Sequence, residues 1–352
     1  MQAAVYVGHG HVEVQTLPVP EIGPGELLVR VEACGICHTD LKKVEHDLLP
    51  PPRIYGHEMA GVVVQAGEGV ARFKTGDRVV VLHHIPCRDC FYCDRKLYAQ
   101  CEVYKRVGVT AGFAPAGGGF SQFIRVMDWI VREGVIAIPD GVSFEDASFV
   151  EPANTCHKAA VAMDPQPGDV VLIQGQGPIG LMFTSLVART GATVVATDTM
   201  PERLALSREF GATEAVDPRS TDVPTLLQRL TGGRGADMAF IATSVRGIVE
   251  QAMTASRPGS KILLFAQTSD TERIELSGAG ICKQERIFLG VYSASIDLQA
   301  ETARLVFSGE LPVNRLISHR LPLDQIREGI RLALHPDGKS LKIMVLPQRL
   351  SA

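Results

Sequence analysis

Four cysteines, Cys87, Cys90, Cys93 and Cys101, lie within fifteen residues of the chain. Their spacing lets four thiolates converge on one tetrahedral ion, and zinc binds sulfur at about 2.3 Å. An iron–sulfur cluster and a pair of disulfides are the alternatives. The ferredoxin pattern has its fourth cysteine after three residues and before a proline, whereas Cys101 follows seven residues and precedes Glu102. The pattern therefore favours zinc, and because four thiolates leave no open coordination position, this zinc is predicted to be structural.

Composition indicates a soluble protein of two domains. The chain has 352 residues, of which 45% are hydrophobic and 21% charged, values far from those of disordered or membrane proteins. The formal net charge of −4, without a basic block, gives no support for binding nucleic acid or a membrane surface. No signal peptide is visible. Eight cysteines, four of them in one predicted metal site, fit a reducing compartment, so we expect a cytoplasmic protein.

The elements that must position these residues fall into two patterns. Up to about residue 150, short apolar runs such as 26–32, 61–65 and 77–82 are separated by glycine and proline turns. Many short strands with turn signals between them predict a compact, barrel-like β domain.

From about residue 166, strands and helices alternate, which predicts a parallel sheet with helices on both faces. The remainder adds a helix, a strand, a second helix from residue 323 and a final strand. The predicted strands of the alternating region are 170–174, 193–198, 214–216, 236–242, 261–265 and 287–291; its helices are 178–190, 201–210, 224–230 and 247–255; the later elements are the helix 298–308 and the strands 316–320 and 341–345.

A glycine-rich turn joins the first of these strands to the first helix. Gly175 allows a tight turn, Gly177 lets a pyrophosphate approach the backbone, and Gly180 permits close packing of helix against strand. Pro178 and Ile179 begin the helix, whose exposed amides attract an anionic diphosphate. These five residues are predicted to bind a dinucleotide.

Asp198, at the end of the next predicted strand, determines which dinucleotide is expected. A carboxylate there accepts hydrogen bonds from ribose hydroxyls and repels a 2′-phosphate, which favours NAD over NADP. Arg203 lies nearby in the sequence. It could weaken this exclusion, or lie against the adenine or in solvent.

Two further segments carry metal-ligand residues, Cys37-His38-Thr39-Asp40 and Gly56-His57-Glu58. With the cysteine cluster, the turn at residues 76–79 and the glycine turn, they make the whole chain resemble the zinc-containing medium-chain dehydrogenase family, which includes alcohol, polyol and threonine dehydrogenases. The resemblance implies an α/β protein. Its GroES-like β-barrel catalytic domain would comprise residues 1–152 and 293–352, and its Rossmann-type, doubly wound parallel-sheet NAD-binding domain residues 153–292.

The resemblance also implies a second, catalytic zinc bound by Cys37 and His57. The third protein ligand is expected from Glu151, as in polyol dehydrogenases, with Cys156 as the competing candidate. Glu58 would lie beside the metal, as an orienting group or an alternating ligand.

Thr39 matches the family's hydroxyl that passes the substrate proton on, and His38 would face the cofactor's pyrophosphate. Relatives often end this relay with a histidine where this chain has Lys42, so the end of the relay is open, with His46 as a possible substitute.

We therefore expect a dehydrogenase with two zinc ions per chain that transfers a hydride between NAD and a secondary alcohol, with a polyol, sugar or cyclitol favoured. Oxidation of a β-hydroxy amino acid, as by threonine dehydrogenase, and oxidation of simple alcohols are the alternatives within the family. A zinc-free quinone or enoyl reductase and a non-catalytic binding protein of the same fold are less favoured. The family resemblance suggests a homodimer or homotetramer joined through the nucleotide domains.

Overall fold

The structure is a computed structural model that describes residues 1–83, 85–104, 108–114, 117–266 and 273–349. The chain divides into two compact units, one formed by Met1–Asn154 together with Ala294–Ala352 and the other by Thr155–Ser293. None of the helices in these described ranges has the length and apolar character needed to cross a bilayer.

The structure contains β-strands, α-helices and short 3₁₀ helices. The strands are β1 (Gln2–Gly8), β2 (His11–Thr16), β3 (Leu27–Gly35), β4 (Arg53–Ile54), β5 (Glu58–Ala66), β6 (Arg78–Val81), β7 (Val109–Thr110), β8 (Phe123–Val126), β9 (Val135–Ala137), β10 (Val170–Gln174), β11 (Thr193–Thr197), β12 (Glu214–Val216), β13 (Ala236–Ile241), β14 (Ser256–Leu264), β15 (Ile287–Gly290), β16 (Ile317–Pro322) and β17 (Lys342–Leu346). The α-helices are α1 (His38–Glu45), α2 (Phe91–Asp94), α3 (Asp128–Glu133), α4 (Phe144–Ala147), α5 (Val150–Met163), α6 (Pro178–Ala188), α7 (Pro201–Glu209), α8 (Val223–Leu230), α9 (Ile248–Ala255), α10 (Gly278–Cys282), α11 (Gln299–Phe307) and α12 (Ile326–Leu334), and short 3₁₀ helices lie at Tyr98–Gln100, Ile296–Leu298, Val313–Leu316 and Leu323–Gln325.

The first unit is built around the long strands β3 and β5. The main sheet has the order β16-β17-β3-β5-β6-β9, with β7 and β8 joined to it through the first half of β3, while β1, β2 and β4 form a separate sheet. Its strands pair antiparallel, except for the parallel pair β16 and β17. The apolar runs of these strands are buried and form the core, as the sequence pattern predicts.

The register of this sheet brings distant segments together. Gly35, the last residue of β3, lies opposite Glu58 of β5 and also opposite Met344 of β17. Residues that follow β3 and precede β5 therefore meet at one end of the sheet, beside a strand from the C-terminal part of the chain.

The sequence patterns predict none of the helices α1 to α5. Helix α1 has eight residues, and only Asp40, Leu41 and Val44 of them are buried, so its apolar pattern is too short to be distinguished from a loop. Helix α1 is important for the site because it begins directly after Cys37 and so fixes the position of that residue.

The second unit is a parallel sheet with helices between its strands, which confirms the predicted alternation. The six described strands have the order β12-β11-β10-β13-β14-β15, and every neighbouring pair is parallel. Strands β10 and β13 are fully buried, as expected for central strands covered on both faces. The strand order reverses between them, so a crevice opens at their carboxyl ends.

Candidate active site and metal centres

The four clustered cysteines lie at distances that fit one tetrahedral ion. Their sulfurs are all within 4.8 Å of one another, with Cys87 Sγ at 3.9 Å from Cys93 and 3.5 Å from Cys101, and Cys90 Sγ at 3.6 Å from Cys93. Zinc–sulfur bonds of about 2.3 Å in a tetrahedron place the sulfurs about 3.8 Å apart. The donors therefore fit zinc, and all eight cysteines of the chain are unbridged.

Local turns hold this cysteine lobe together. Cys90 precedes the single-turn helix α2, and Cys101 follows the 3₁₀ helix Tyr98–Gln100. The two tyrosines Tyr98 and Tyr104 pack with the buried cysteines as a small core of their own. Hydrogen bonds from backbone amides lower the pKa of Cys90 to about 6, whereas burial raises the pKa of Cys93 to about 12. Bringing four thiolates so close without a cation is unfavourable, which is a further indication of a metal site.

A second cluster of possible ligands contains Cys37, His57 and Glu58, whose ligand atoms are all within 4.8 Å of one another. Cys37 is the residue before helix α1, and Glu58 is the first residue of β5. These two segments meet because Gly35, at the end of β3, pairs with Glu58 at the start of β5. His57 and Glu58 are buried, and Cys37 is half-buried.

The imidazole of His57 is oriented by Asp40, a role that the sequence reasoning missed. Nδ1 of His57 lies 3.0 Å from Oδ1 of Asp40, which leaves Nε2 for a metal. Burial would raise the pKa of Asp40, but the charge of His57 and their hydrogen bond hold it below its ordinary value. Asp40 is part of the segment Cys37-His38-Thr39-Asp40 that carried the family resemblance. The sequence therefore contained the residue in its motif, but did not indicate that it orients His57.

Glu58 is paired with a second missed residue, Lys342 of β17. Nζ of Lys342 lies 2.6 and 2.8 Å from the two carboxylate oxygens of Glu58, and both side chains are buried. Gly35 leaves the space for this pair, because a Cβ there would stand 2.2 Å from Oε2 of Glu58. No sequence pattern points to Lys342 as a site residue, since it is 284 residues from Glu58.

Glu151 is buried in the first turn of α5. Burial raises the pKa of Glu151 to about 7; the charge of Glu58 adds to the effect, and that of His57 opposes it. Among the described residues, the close cluster comprises Cys37, His57 and Glu58 and does not include Glu151. Cys156, the competing candidate, is buried five residues further along the same helix. At 3.6 residues per turn, the two side chains point in directions about 140° apart.

The residues of the expected proton relay lie on α1. Thr39 is half-buried in its first turn, and His38 beside it is exposed. Lys42 is half-buried, and His46, directly after the helix, is exposed with Nε2 3.8 Å from a carboxylate oxygen of Glu45.

In the second unit, the three glycines have the geometry that their positions in the turn require. Gly175 has a φ of +89°, which favours glycine, and follows β10 directly. A Cβ at Gly180 would stand 1.8 Å from the carbonyl oxygen of Gly175, whereas a Cβ at Gly177 would meet only a guanidinium nitrogen of Arg203, at 4.0 Å. Gly180 is thus needed for packing, and Gly177 leaves the backbone open to a ligand. Pro178 begins α6, with half-buried Ile179 after it.

Asp198 lies just beyond β11, beside the glycine turn. Its carboxylate accepts hydrogen bonds from the backbone amides of Gln176, at 2.6 Å, and Met200, at 2.9 Å, and Nη1 of Arg203 lies 3.9 Å away. Asp198, Met200 and Arg203 border an open cleft of about 710 Å³ within the second unit, which is also lined by Arg219. The cleft is large enough for a mononucleotide half of a cofactor.

Two protein families match this chain. Residues 23–140 match the family described as alcohol dehydrogenase GroES-like domain, and residues 178–308 match the family described as zinc-binding dehydrogenase. Sorbitol dehydrogenase from Bacillus subtilis is 30% identical over 99% of this chain and 98% of its own length. L-threonine 3-dehydrogenase from Symbiobacterium thermophilum is 30% identical over 95% of this chain and 94% of its own.

Solved structures agree with the two-family match. A zinc-binding dehydrogenase from Sinorhizobium meliloti, bound to NADP, superposes with a TM-score of 0.88 at 28% identity and covers 98% of this chain and 99% of its own. The 2R,3R-butanediol dehydrogenase from Bacillus subtilis gives a TM-score of 0.84 at 28% identity, covering 99% of both chains. The GroES-like and Rossmann-type fold expected from the sequence is thereby confirmed.

Proposed function

Since the chain belongs to the zinc-containing medium-chain dehydrogenase family, we propose that it is an NAD-dependent, zinc-requiring dehydrogenase that oxidises secondary alcohols, and polyols, sugars or cyclitols in particular. The observation that carries the proposal is the convergence of Cys37, His57 and Glu58. These donors come from two segments of the chain, and one of them, Glu58, is also held in a buried ion pair with Lys342. Core packing alone does not require such a group of polar side chains.

The catalytic zinc would be held by Cys37, by Nε2 of His57 and by Glu151. Asp40 keeps His57 in the tautomer that presents Nε2. Glu151 is preferred over Cys156 because Glu151 interacts electrostatically with His57 and Glu58, and the same helix directs Cys156 about 140° away. Glu58, held by Lys342, balances the charge beside the ion and is the alternating ligand.

Each residue has a task in the reaction. Zinc, when bound, supplies a Lewis acid that makes an alcohol more acidic, much as it lowers the pKa of water from ~16 to ~7. Thr39 would receive the alcohol proton and pass it on along α1, and His38 would face the pyrophosphate of a bound cofactor. Glu58 and Lys342 are both buried, and their pair would limit the access of water to the ligand cluster.

The first unit, in this proposal, is the catalytic domain, with its residues 1–152 and 293–352, and residues 153–292 form the NAD-binding domain. Gly175, Gly177, Pro178, Ile179 and Gly180 hold the diphosphate at the start of α6. Cys87, Cys90, Cys93 and Cys101 hold the structural zinc, whose four sulfurs leave no place for a substrate.

NAD is preferred over NADP because Asp198 places a negative charge where a 2′-phosphate would lie. The relative from Sinorhizobium meliloti is bound to NADP. The ratio of kcat/KM with NAD to kcat/KM with NADP therefore tests this preference directly. Arg203, 3.9 Å from Asp198, is proposed to lie along the adenosine.

We also propose a homodimer or homotetramer in the cytoplasm. Strand β15 is the outer strand of the parallel sheet, and its residues are half-buried or exposed, unlike those of β10 and β13. Such an edge favours association. The free state of all eight cysteines supports a reducing compartment.

Zinc content and an oxidation screen test the function. We expect about two zinc ions per chain and formation of NADH with one class of substrate in a panel of polyols, inositols, hydroxy amino acids and simple alcohols. Preference for a hydroxy amino acid would favour the threonine dehydrogenase alternative. A chain without zinc that reduces quinones would overturn the proposal.

The variant Cys37→Ser separates catalysis from folding. Turnover should fall below detection, while NAD binding and the melting temperature stay close to those of the unchanged protein. Cys282→Ser is the matched control, because Cys282 is exposed and outside both clusters. Equal turnover in the two variants would contradict the assignment of Cys37.

A further inference from the structure

A small cavity in the core of the first unit is lined by Asp40, the hydrogen-bond partner of His57. Its volume of about 10 Å³ gives room for one water molecule. Helix α1 covers one side of it and helix α12 another, and its lining is mostly apolar, with contributions from Ile36, Leu41, Val44, Ile326 and Ile330.

Two polar side chains, Asp40 and Tyr55, also line this cavity, and both are deeply buried. Asp40 is 2% exposed and Tyr55 is 4% exposed. Oδ2 of Asp40 and the hydroxyl of Tyr55 have no hydrogen-bond partner among the described residues. Buried polar atoms in native proteins are nearly always hydrogen-bonded, and a buried carboxylate oxygen is especially costly to leave unpaired.

We propose that one ordered water fills this cavity and makes Tyr55 a positioning residue for the zinc ligand His57. The hydroxyl of Tyr55 donates to the water, and the water donates to Oδ2 of Asp40. Oδ1 of Asp40 already accepts from Nδ1 of His57, at 3.0 Å. The result is a continuous chain of hydrogen bonds from Tyr55 to the ligand, in which each bond polarises the next.

The ring of Tyr55 is held firmly enough for this task. Its backbone carbonyl accepts from the amide of Phe120 at 3.0 Å, and its ring centroid lies 5.5 Å from that of Tyr6. The ammonium of Lys43 lies 5.6 Å from the centroid of the same ring. Only Gly56 separates Tyr55 from His57 in the sequence, so the ligand is fixed both through the backbone and through the water.

The inference rests on the proposed catalytic zinc, because the orientation of His57 has a function only if the imidazole binds a metal. Direct partners of metal ligands change metal affinity by about 10–100-fold when they are removed. Tyr55 acts one water further away, so we expect a smaller effect of about 3–10-fold.

The test compares Tyr55→Phe with Tyr6→Phe. Both remove one buried hydroxyl from neighbouring rings, but the hydroxyl of Tyr6 donates to Asp47 and Tyr6 does not line the cavity. The measurement is the rate of zinc release to a coloured chelator, in which the catalytic zinc and the zinc of the cysteine lobe appear as separate phases. Tyr55→Phe should release the catalytic zinc about 3–10-fold faster, with the lobe phase unchanged. Tyr6→Phe should change neither phase.

Equal release of the catalytic zinc from the two variants would overturn the inference. A high-resolution crystal structure of the unchanged protein provides an independent test that needs no variant to fold. Electron density for a water within hydrogen-bonding distance of both Asp40 Oδ2 and the Tyr55 hydroxyl supports the inference, and an empty cavity defeats it. The proposed function fails separately, if no zinc is bound at Cys37 or no alcohol is oxidised.

Discussion

The buried ion pair between Lys342 and Glu58 gives the sharpest test of how the active site is held together. Lys342 is 6% exposed and Glu58 is 2% exposed, and Nζ also donates to the carbonyl of Ile36, at 3.2 Å. Burial would lower the pKa of Lys342, but the negative charges of Glu58 and Cys37 raise it above its ordinary value. Lys342 is therefore protonated, and the change Lys342→Met removes its positive charge while keeping most of the volume of the side chain.

The expected loss can be worked out from this geometry. Removing one partner of a buried pair costs about 3–5 kcal/mol, because the other charge stays buried without compensation. A zinc ion bound by Cys37 and His57 would offer Glu58 a second positive charge, so we expect a loss at the lower end of this range, about 3 kcal/mol. The double variant Lys342→Met with Glu58→Gln should recover most of this loss, since no uncompensated charge remains.

Arg125→Met provides the matched control. Arg125 makes two hydrogen bonds to Glu26, at 2.7 and 2.8 Å, but its side chain is 36% exposed, so solvent screens the pair. Its removal should lower the free energy of unfolding by about 1 kcal/mol or less.

The assay is urea-induced unfolding of the zinc-loaded proteins, followed by circular dichroism. The reasoning is refuted if Lys342→Met loses no more stability than Arg125→Met. It is equally refuted if the double variant is no more stable than Lys342→Met alone, because the loss would then come from packing and not from the unpaired charge of Glu58.

Three further predictions address the metal sites and the cofactor. Cys93→Ser should remove about one zinc per chain and lower the melting temperature, as measured by metal analysis and calorimetry; retention of both ions would contradict the structural site. Asp198→Asn keeps an acceptor for the amide of Gln176 but loses its charge, so the preference for NAD over NADP should fall by about tenfold in kcat/KM; an unchanged ratio would defeat the role of Asp198. Because burial raises the pKa of Glu151 to about 7, this carboxyl is protonated at pH 6 and must lose its proton to bind zinc. Calorimetric zinc titrations at pH 6 should therefore show about one more proton released by the unchanged protein than by Glu151→Gln, and equal release would exclude Glu151 as a ligand.

Local patterns in the sequence predicted most of the second unit. The strands β10 and β12 have the predicted bounds, and α6 begins at the predicted Pro178. Strand β14 begins five residues before its predicted start at 261, because pairing with β13 extends it beyond its apolar run. Before residue 166, helices α1 to α5 were missed: α2, α3 and α4 have only four to six residues, and α1 and α5 carry too little apolar periodicity.

Residues close in the sequence were the ones whose chemistry could be predicted. The four cysteines of the lobe lie within fifteen residues, so their turns alone bring the sulfurs to 3.5–3.9 Å. The glycine turn is likewise complete within six residues, and its three glycines can be assigned their tasks from backbone sterics alone.

The tertiary structure decided what surrounds the proposed catalytic metal. The pairing of β3 with β5 and β17 brings Cys37, His57, Glu58 and Lys342 to one end of the sheet. Residue types and spacings specify which atoms can bind a metal, because that depends on the donor itself. They do not specify which strands pair in which register across hundreds of residues, because that depends on the packing of the whole core. For this reason the sequence could propose metal ligands, which stay predictions, whereas the contacts of Asp40 and Lys342 and the cavity beside Tyr55 became visible only in the folded chain.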